Sequence, residues 1–113
     1  MDLSTQLEQK RQTLLQEIAA LGPMRRGSLC ERMLPQRRRD GSVRRRGPYA
    51  MYTFKKEGKT HGRHLPANQD VELYRRQIQT YRRFEQLARE LVALGQRLAD
   101  LEAGQEGKKN SRR

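Results

Sequence analysis

The sequence has little of the material from which a packed core is built. It contains no tryptophan, and only 5% of its 113 residues are aromatic and 34% hydrophobic. Globular domains usually contain about 45–50% apolar residues, and a chain of this length forms one small domain at most. We therefore expect long helices with a small β-ribbon and no sizeable catalytic cleft.

Cysteine and long apolar runs are also nearly absent. Cys30 is the only cysteine, so no disulfide can form within the chain, as is usual for proteins of a reducing cytoplasm. The first residues show no basic segment followed by an apolar run, and no stretch approaches the ~18 apolar residues of a membrane span. We expect a soluble, cytoplasmic protein with no membrane partner, with association with the nucleoid as an alternative.

Acidic residues are scarce relative to basic ones. Thirteen Asp and Glu stand against 25 Lys and Arg, which gives a formal net charge of +12. A field of this sign concentrates polyanions, and each phosphate that a basic side chain neutralises releases condensed counterions. An anionic membrane or an acidic protein tail would also be attracted, and a charge that only maintains solubility is the simplest alternative. We favour nucleic acid, DNA or RNA, because the charge is clustered.

The arginines are concentrated between Met24 and Arg46, where nine of 23 residues are arginine and only Glu31 and Asp40 oppose them. Two arginine triplets flank residues 40–43, whose Asp-Gly-Ser-Val sequence predicts a loop. Guanidinium groups bind phosphate oxygens and guanine edges through paired hydrogen bonds, whereas a solvated loop without a partner would suffer charge repulsion. We therefore predict nucleic-acid contacts here and on the following hairpin. The predicted contact residues are Arg25, Arg26, Arg37, Arg38, Arg39, Arg44, Arg45, Arg46, Lys55, Lys56, Lys59 and Arg63.

An N-terminal helix is predicted from about Asp2 to Leu21, because its apolar residues recur at spacings of three, four or seven. Thr5 and Glu8 match a capping box, and Gly22-Pro23 is typical of a helix end. The apolar stripe consists of Leu3, Leu7, Leu14, Ile18 and Leu21. Five apolar residues cannot fold alone, so this helix needs a partner.

A β-hairpin is predicted from Tyr49 to Leu65, with a two-residue turn at Glu57-Gly58. This turn sets the register and pairs Phe54 with His61, Tyr52 with Arg63 and Ala50 with Leu65. Before the hairpin, the segment 28–34 is ambiguous. Ser28 and Glu31 match a capping box, but the alternation of the segment suits a strand equally well.

Two aromatic residues, Tyr52 and Phe54, share one face of this hairpin with His61 and Arg63. Aromatic and basic side chains that alternate in this way can stack bases while holding the backbone. Aromatic residues beside Leu65 are more often the hairpin's own core. We favour the core for Tyr52 and Phe54, which leaves the basic side chains to meet phosphates.

The last helix is predicted from about Asn68, a plausible N-cap, to Glu102. Its apolar residues alternate by three and four, as in a coiled-coil seam. This seam predicts a partner interface with the first helix, a second copy or another protein, formed by Phe84, Leu87, Leu91, Leu94, Leu98 and Leu101. The polar, basic segment 104–113 is expected to be disordered.

No catalytic or metal-binding constellation is predicted. His61 and His64 point to opposite faces of a strand, and Cys30 is the only thiol that could join them. Neither Cys30 nor Ser28 nor Ser42 belongs to a recognisable nucleophilic triad. We expect no cofactor, no metal and no enzymatic activity.

Several short motifs occur in an order that resembles a known family. They are Gly-Pro-Met-Arg-Arg-Gly-Ser-Leu (22–29), Gly-Pro-Tyr-Ala-Met-Tyr (47–52), Gly-Lys-Thr (58–60), His-Leu-Pro (64–66) and Tyr-Arg-Arg-Gln-Ile-Gln-Thr-Tyr-Arg-Arg-Phe (74–84). The chain resembles small bacterial and archaeal proteins of unknown function that are often encoded near transposases. The resemblance covers about Gly22 to Leu94 and implies a first strand at Leu29–Leu34, a hairpin and a long helix. It also implies a cysteine cluster between the Gly-Ser-Leu and Gly-Pro-Tyr motifs. Residues 35–46 of this chain have arginines there and no cysteine, so no metal site is carried over.

The expected architecture is α+β, with an N-terminal helix at 2–21, a basic loop and β-hairpin or three-stranded antiparallel sheet at 22–66, a long helix at 67–103 and a basic tail at 104–113. The expected function is that of a nucleic-acid-binding accessory protein of a mobile element. The alternative is a coiled-coil subunit that docks on a larger nucleic-acid enzyme.

Overall fold

A computed structural model describes residues 2–66 and 68–104, with the side chains of Pro48, Asn68 and Gln69 left out. The elements follow the order α1 (Leu3–Ala19), β1 (Ser28–Arg37), β2 (Val43–Lys56), β3 (Lys59–Leu65) and α2 (Asn68–Glu102). The strands form one antiparallel sheet in the order β1-β2-β3. The predicted α+β class with a three-stranded sheet and a long C-terminal helix is therefore confirmed.

Helix α1 begins with a different cap from the one predicted. Asp2 is the N-cap, and its Oδ1 accepts a hydrogen bond of 2.7 Å from the Thr5 backbone amide. This bond holds the pKa of the Asp2 carboxyl below its ordinary value. Glu8 instead accepts hydrogen bonds from Arg11 and Gln12. The predicted capping box of Thr5 and Glu8 is wrong, because Asp2 already satisfies the first turn. The helix also ends at Ala19, two residues before the predicted limit.

The chain divides into two compact units, Met1–Gly22 with Arg82–Arg113, and Pro23–Tyr81. In the first unit, α1 lies antiparallel to the C-terminal part of α2. Arg83 on α2 donates a hydrogen bond of 2.8 Å to Glu17 near the end of α1, while Leu14 and Leu94 line one groove. Leu7 and Leu87 are buried, at 2% and 1% exposure. This packing supplies the partner that the apolar stripe of α1 requires.

In the second unit, one face of the sheet packs on the first turns of α2. Ala50, Tyr52 and Leu65 from the sheet form a buried cluster with Val71 and Ile78 from α2. Leu29, Phe54 and Tyr74 pack around this cluster. The opposite sheet face, which carries Tyr49, Met51 and His64, is called the open face below.

The predicted register of the β2–β3 hairpin is confirmed. Ala50 pairs with Leu65, Tyr52 with Arg63 and Phe54 with His61. The ambiguous segment 28–34 is a strand, because Leu29 pairs with Tyr52 and Cys30 with Met51. The N-cap role predicted for Asn68 depends on a side chain that is not among those described. The predicted disordered tail, residues 104–113, lies outside the described residues except for Gly104. Within residues 2–66 and 68–104, neither helix is long and apolar enough to cross a membrane.

The turn between β2 and β3 leads to a prediction about stability. Glu57 has a φ of 54° and Gly58 a φ of 78°, so both central residues of the turn are left-handed. Asparagine tolerates this conformation better than other non-glycine residues, and Asn-Gly is the preferred pair for such turns. We expect Glu57→Asn to raise the free energy of unfolding by about 0.5–1 kcal/mol, measured by urea denaturation. Glu57→Gln is the control, because it removes the same charge and keeps the unfavourable backbone conformation. Equal stabilisation by both variants would show that charge removal, and not the turn, is responsible.

Candidate nucleic-acid interface

The two arginine triplets lie mainly on paired strands. Arg37 ends β1 and pairs with Val43, while Arg44 and Arg46 in β2 pair with Gln36 and Leu34. Only Arg38 and Arg39 belong to the turn at residues 38–42. The loop predicted at residues 40–43 falls mostly in this turn, whereas most of the arginine-rich sequence around it forms a β-ribbon. Residues 32–46, all exposed, are called the arginine ribbon below.

The tip of the arginine ribbon is held by its own hydrogen bonds. The Arg38 amide donates to the Ser42 carbonyl at 2.8 Å, and the Gly41 amide donates to the Arg38 carbonyl at 3.0 Å. Asp40 Oδ1 accepts from the Ser42 hydroxyl at 2.6 Å and from the Ser42 amide at 2.8 Å. These bonds, the one from the hydroxyl most of all, hold the pKa of Asp40 below its ordinary value. The carboxylate of Asp40 is thus used to close the turn.

The triplet arginines are not neutralised by the rest of the described chain. Within residues 2–66 and 68–104, the salt bridges involve Arg11, Arg75 and Arg83, and none involves an arginine of either triplet. Six exposed guanidinium groups at the end of one ribbon repel one another. A polyanion would relieve this repulsion, and each arginine retains its donors for it.

A β-bulge determines which face these arginines occupy. Between Arg32 and Leu34 the register shifts, so that Gly47 and Pro48 of β2 lie opposite Met33 alone. Gly47 has a φ of 133°, and a Cβ there would lie 2.8 Å from the Arg32 carbonyl oxygen, so only glycine fits.

The bulge reverses the alternation of β2. Arg44 and Arg46 consequently share the open face with Tyr49 and Met51, and Arg45 lies on the other face. Continuous alternation would instead have placed Arg44 and Arg46 on the face of Tyr52. Gly47-Pro48 is the signal in the sequence that marks this change.

The basic residues of the hairpin form a separate group. Lys55, Lys56 and Lys59 flank the β2–β3 turn and are exposed. They lie at the opposite end of β2 from Val43, and thirteen residue steps of ~3.3 Å separate the two ends by about 40 Å. The structure therefore does not bring these lysines together with the arginine triplets.

Three of the predicted contact residues make contacts with tyrosine side chains of the second unit. The Arg25 guanidinium lies 4.0 Å from the ring centre of Tyr74 and 5.2 Å from that of Tyr52, and its Nε donates to Gln77. Arg26 lies over Tyr81 at 5.8 Å. Arg63 donates to the Tyr74 hydroxyl at 2.6 Å. These contacts give all three a structural role in addition to any ligand contact.

The aromatic residues Tyr52 and Phe54, on the sheet face that packs on α2, belong to the core, as the sequence favoured. Tyr52 is 3% exposed, and its hydroxyl donates to the Arg26 carbonyl. Its ring stacks on Phe54 with centres 5.2 Å apart and meets Tyr74 edge-on at 5.1 Å. The sequence interpretation missed a second aromatic pair on the open face. Tyr49 and His64 have ring centres 5.5 Å apart.

The predicted partner interface on α2 is only partly used within the chain. Leu87 is buried, whereas Phe84, Leu91 and the three leucines that follow are half-buried. Coiled-coil pairing and binding of a further partner by this seam therefore stay predictions. In the described part of the chain, no three His, Cys, Asp or Glu side chains lie close enough to share a metal ion.

Comparison with known protein families gives a match. Residues 4–76 match a family model described as a domain of unknown function, DUF6788. No curated protein and no solved structure matches the chain. The association with transposases and the family cysteine cluster, both implied by the resemblance of the motifs, stay predictions.

Proposed function

The chain belongs to the family of the domain of unknown function DUF6788, and we propose that it binds nucleic acid through the arginine ribbon. The observation that carries this proposal is the set of six triplet arginines, exposed on one two-stranded ribbon and without carboxylate partners among the described residues. The proposal assigns binding and no catalysis. It gives the protein an accessory role beside an enzyme that acts on the same nucleic acid.

The dimensions of the arginine ribbon suit a nucleic-acid backbone. Alternate residues of a strand, such as Arg44 and Arg46, are displaced by about 6.7 Å. Two nucleotides in one strand of duplex DNA advance by about 6.8 Å along the axis. A two-stranded ribbon also fits within a major groove about 12 Å wide. Guanidinium groups on one face of the ribbon can therefore lie opposite every second phosphate of one strand without a change in the backbone of the ribbon.

Fluorescence anisotropy at several salt concentrations tests the proposal. The probes are a labelled DNA duplex, a single-stranded DNA of the same length and an RNA stem-loop. We expect micromolar or tighter binding, with the logarithm of the association constant falling linearly with the logarithm of the salt concentration. Engagement of four or five arginines predicts a slope of about −3 to −4.5.

Absence of binding to all three probes at low salt would overturn the proposed function. The alternative, docking of the leucine seam on another protein, would then be the remaining prediction. It would be tested by placing charges at Leu91 and Leu98, which are half-buried in the α1–α2 pair.

A further inference from the structure

A polar cleft adjoins the arginine ribbon where the sheet narrows from three strands to two. Strand β3 ends at Leu65, whereas β2 continues past its partner toward Val43. The cleft has a volume of about 650 Å³ and lies beside this free edge of β2. Ligand pockets in proteins usually measure about 300–1,000 Å³, so the cleft has a volume within this range.

One side of the cleft combines aromatic and cationic groups. Tyr49 and His64 line it together with Arg44 and Arg46, all four on the open face of the sheet, and Arg45 lines it from the other face. The rings of Tyr49 and His64 are inclined by 48° and are not part of the buried cluster beneath α2. Such rings can stack on a base while the neighbouring guanidinium groups bind its phosphates.

The other side of the cleft carries carboxylates. Glu31 and Glu72 line it and hold Arg75 at 3.2 Å and 3.7 Å. Carboxylates repel phosphate but accept hydrogen bonds from the amino groups of bases. The cleft therefore combines rings and guanidinium groups on one side with hydrogen-bond acceptors for base amino groups on the other.

We propose that this cleft holds one unpaired base of a single-stranded nucleic acid, stacked on Tyr49 and His64, with the adjoining phosphates on Arg44 and Arg46. This inference rests on the proposed function and adds the class of ligand. A base within a duplex has no free ring face to stack on Tyr49. A single strand therefore gains a contact that a duplex of the same charge density lacks.

The test compares two single strands of equal length and charge. One is a twelve-residue oligodeoxycytidylate, whose bases carry an amino group, and the other consists of abasic deoxyribose phosphates. If phosphate contacts alone mattered, the affinities would be equal. We expect the intact strand to bind about tenfold more tightly, a difference of ~1.4 kcal/mol, because its bases can stack on the rings.

Matched variants locate the effect. Tyr49→Ala and His64→Ala should each reduce this preference to about twofold or less, with the salt slope unchanged, whereas Tyr49→Phe should retain it. His61→Ala is the control, because His61 is an exposed histidine of the same strand on the opposite face. Circular dichroism verifies that the variants are folded, and His64→Ala maintains the test if Tyr49→Ala is not.

The outcomes separate the inference from the proposed function. Equal affinity of wild-type protein for both strands, with salt-dependent binding retained, would overturn the base-binding cleft alone. The same conclusion follows if His61→Ala lowers the preference as much as Tyr49→Ala. Failure of both strands to bind at low salt would overturn the proposed function together with the inference.

Discussion

Replacing Arg44, Arg45 and Arg46 by alanine is expected to weaken nucleic-acid binding about a hundredfold at ~0.1 M salt and to reduce the salt slope by about 2–3. These residues lie in succession on β2, and the salt bridges of the described chain leave all three unpaired. A phosphate that an arginine no longer contacts keeps its condensed counterions, so its contribution to binding is lost. The loss of three such contacts multiplies the reductions in the association constant. Anisotropy titrations from low to high salt measure both quantities.

The matched control removes three arginines from α2. Arg76, Arg82 and Arg89 are exposed, and Arg76→Ala/Arg82→Ala/Arg89→Ala changes the net charge by the same amount. We expect this variant to lose less than about fivefold in affinity, because only the long-range field is weakened. Equal losses in the two triple variants would show that net charge binds the polymer and that the arginine ribbon has no special role. A lysine triplet at 44–46 would retain the charge and show what the guanidinium fork adds.

Tyr52→Ala is expected to lower the free energy of unfolding of the Pro23–Tyr81 unit by about 3–5 kcal/mol. The Tyr52 side chain is 3% exposed and contacts Phe54, Tyr74 and the Arg25 guanidinium. Its removal leaves a cavity between the sheet and α2, and the Arg26 carbonyl loses its hydrogen bond. Small domains have a total stability of only about 5–15 kcal/mol, so much of the sheet signal in circular dichroism should disappear at moderate urea concentrations.

Two further substitutions separate the contributions to this loss. Tyr52→Phe retains the ring and should cost about 1–3 kcal/mol, since only the hydrogen bond to the Arg26 carbonyl is lost. Met51→Ala alters the neighbouring residue on the open face, where the side chain is 38% exposed, and should cost about 1 kcal/mol or less. A cost of Tyr52→Ala no greater than that of Met51→Ala would contradict the position of Tyr52 in the core.

The hairpin could be predicted from the sequence in detail because its information is local. The alternation in β2 and β3 and the Glu57-Gly58 turn determine which residues face each other, and the pairing of Tyr52 with Arg63 follows from them. Strand β1 could be only half predicted. Its partner residues lie about twenty positions away, and a short apolar segment such as 28–34 fits a helix or a strand when read alone.

The strands of the arginine ribbon could not be predicted from the sequence, for a physical reason. Every residue from 32 to 46 is exposed, so no alternation of apolar and polar residues marks the strands. The strands form through backbone pairing between Leu34–Arg37 and Val43–Arg46. Such pairing does not require a particular pattern of side chains, so the sequence does not reveal it. The Gly47-Pro48 bulge determines on which face Arg44 and Arg46 lie. This effect likewise depends on the pairing of β1 with β2 and not on the sequence of one strand. For the same reason, the cleft beside Tyr49 could not be predicted, although the motif that contains Tyr49 had been singled out.

The arginine ribbon extends past the part of the sheet that α2 covers, and this has a consequence for its dynamics. Its backbone hydrogen bonds face water on both sides, with no buried side chain to protect them. Segments of this kind open locally at little cost while the rest of a domain remains closed, and their amide protons exchange quickly with solvent. A polymer that binds only the form with paired strands shifts this equilibrium towards pairing and slows the exchange of the amide protons. The apparent affinity is therefore lower than the intrinsic affinity of the paired ribbon. It depends on the fraction of free protein in which the two strands of the ribbon are already paired.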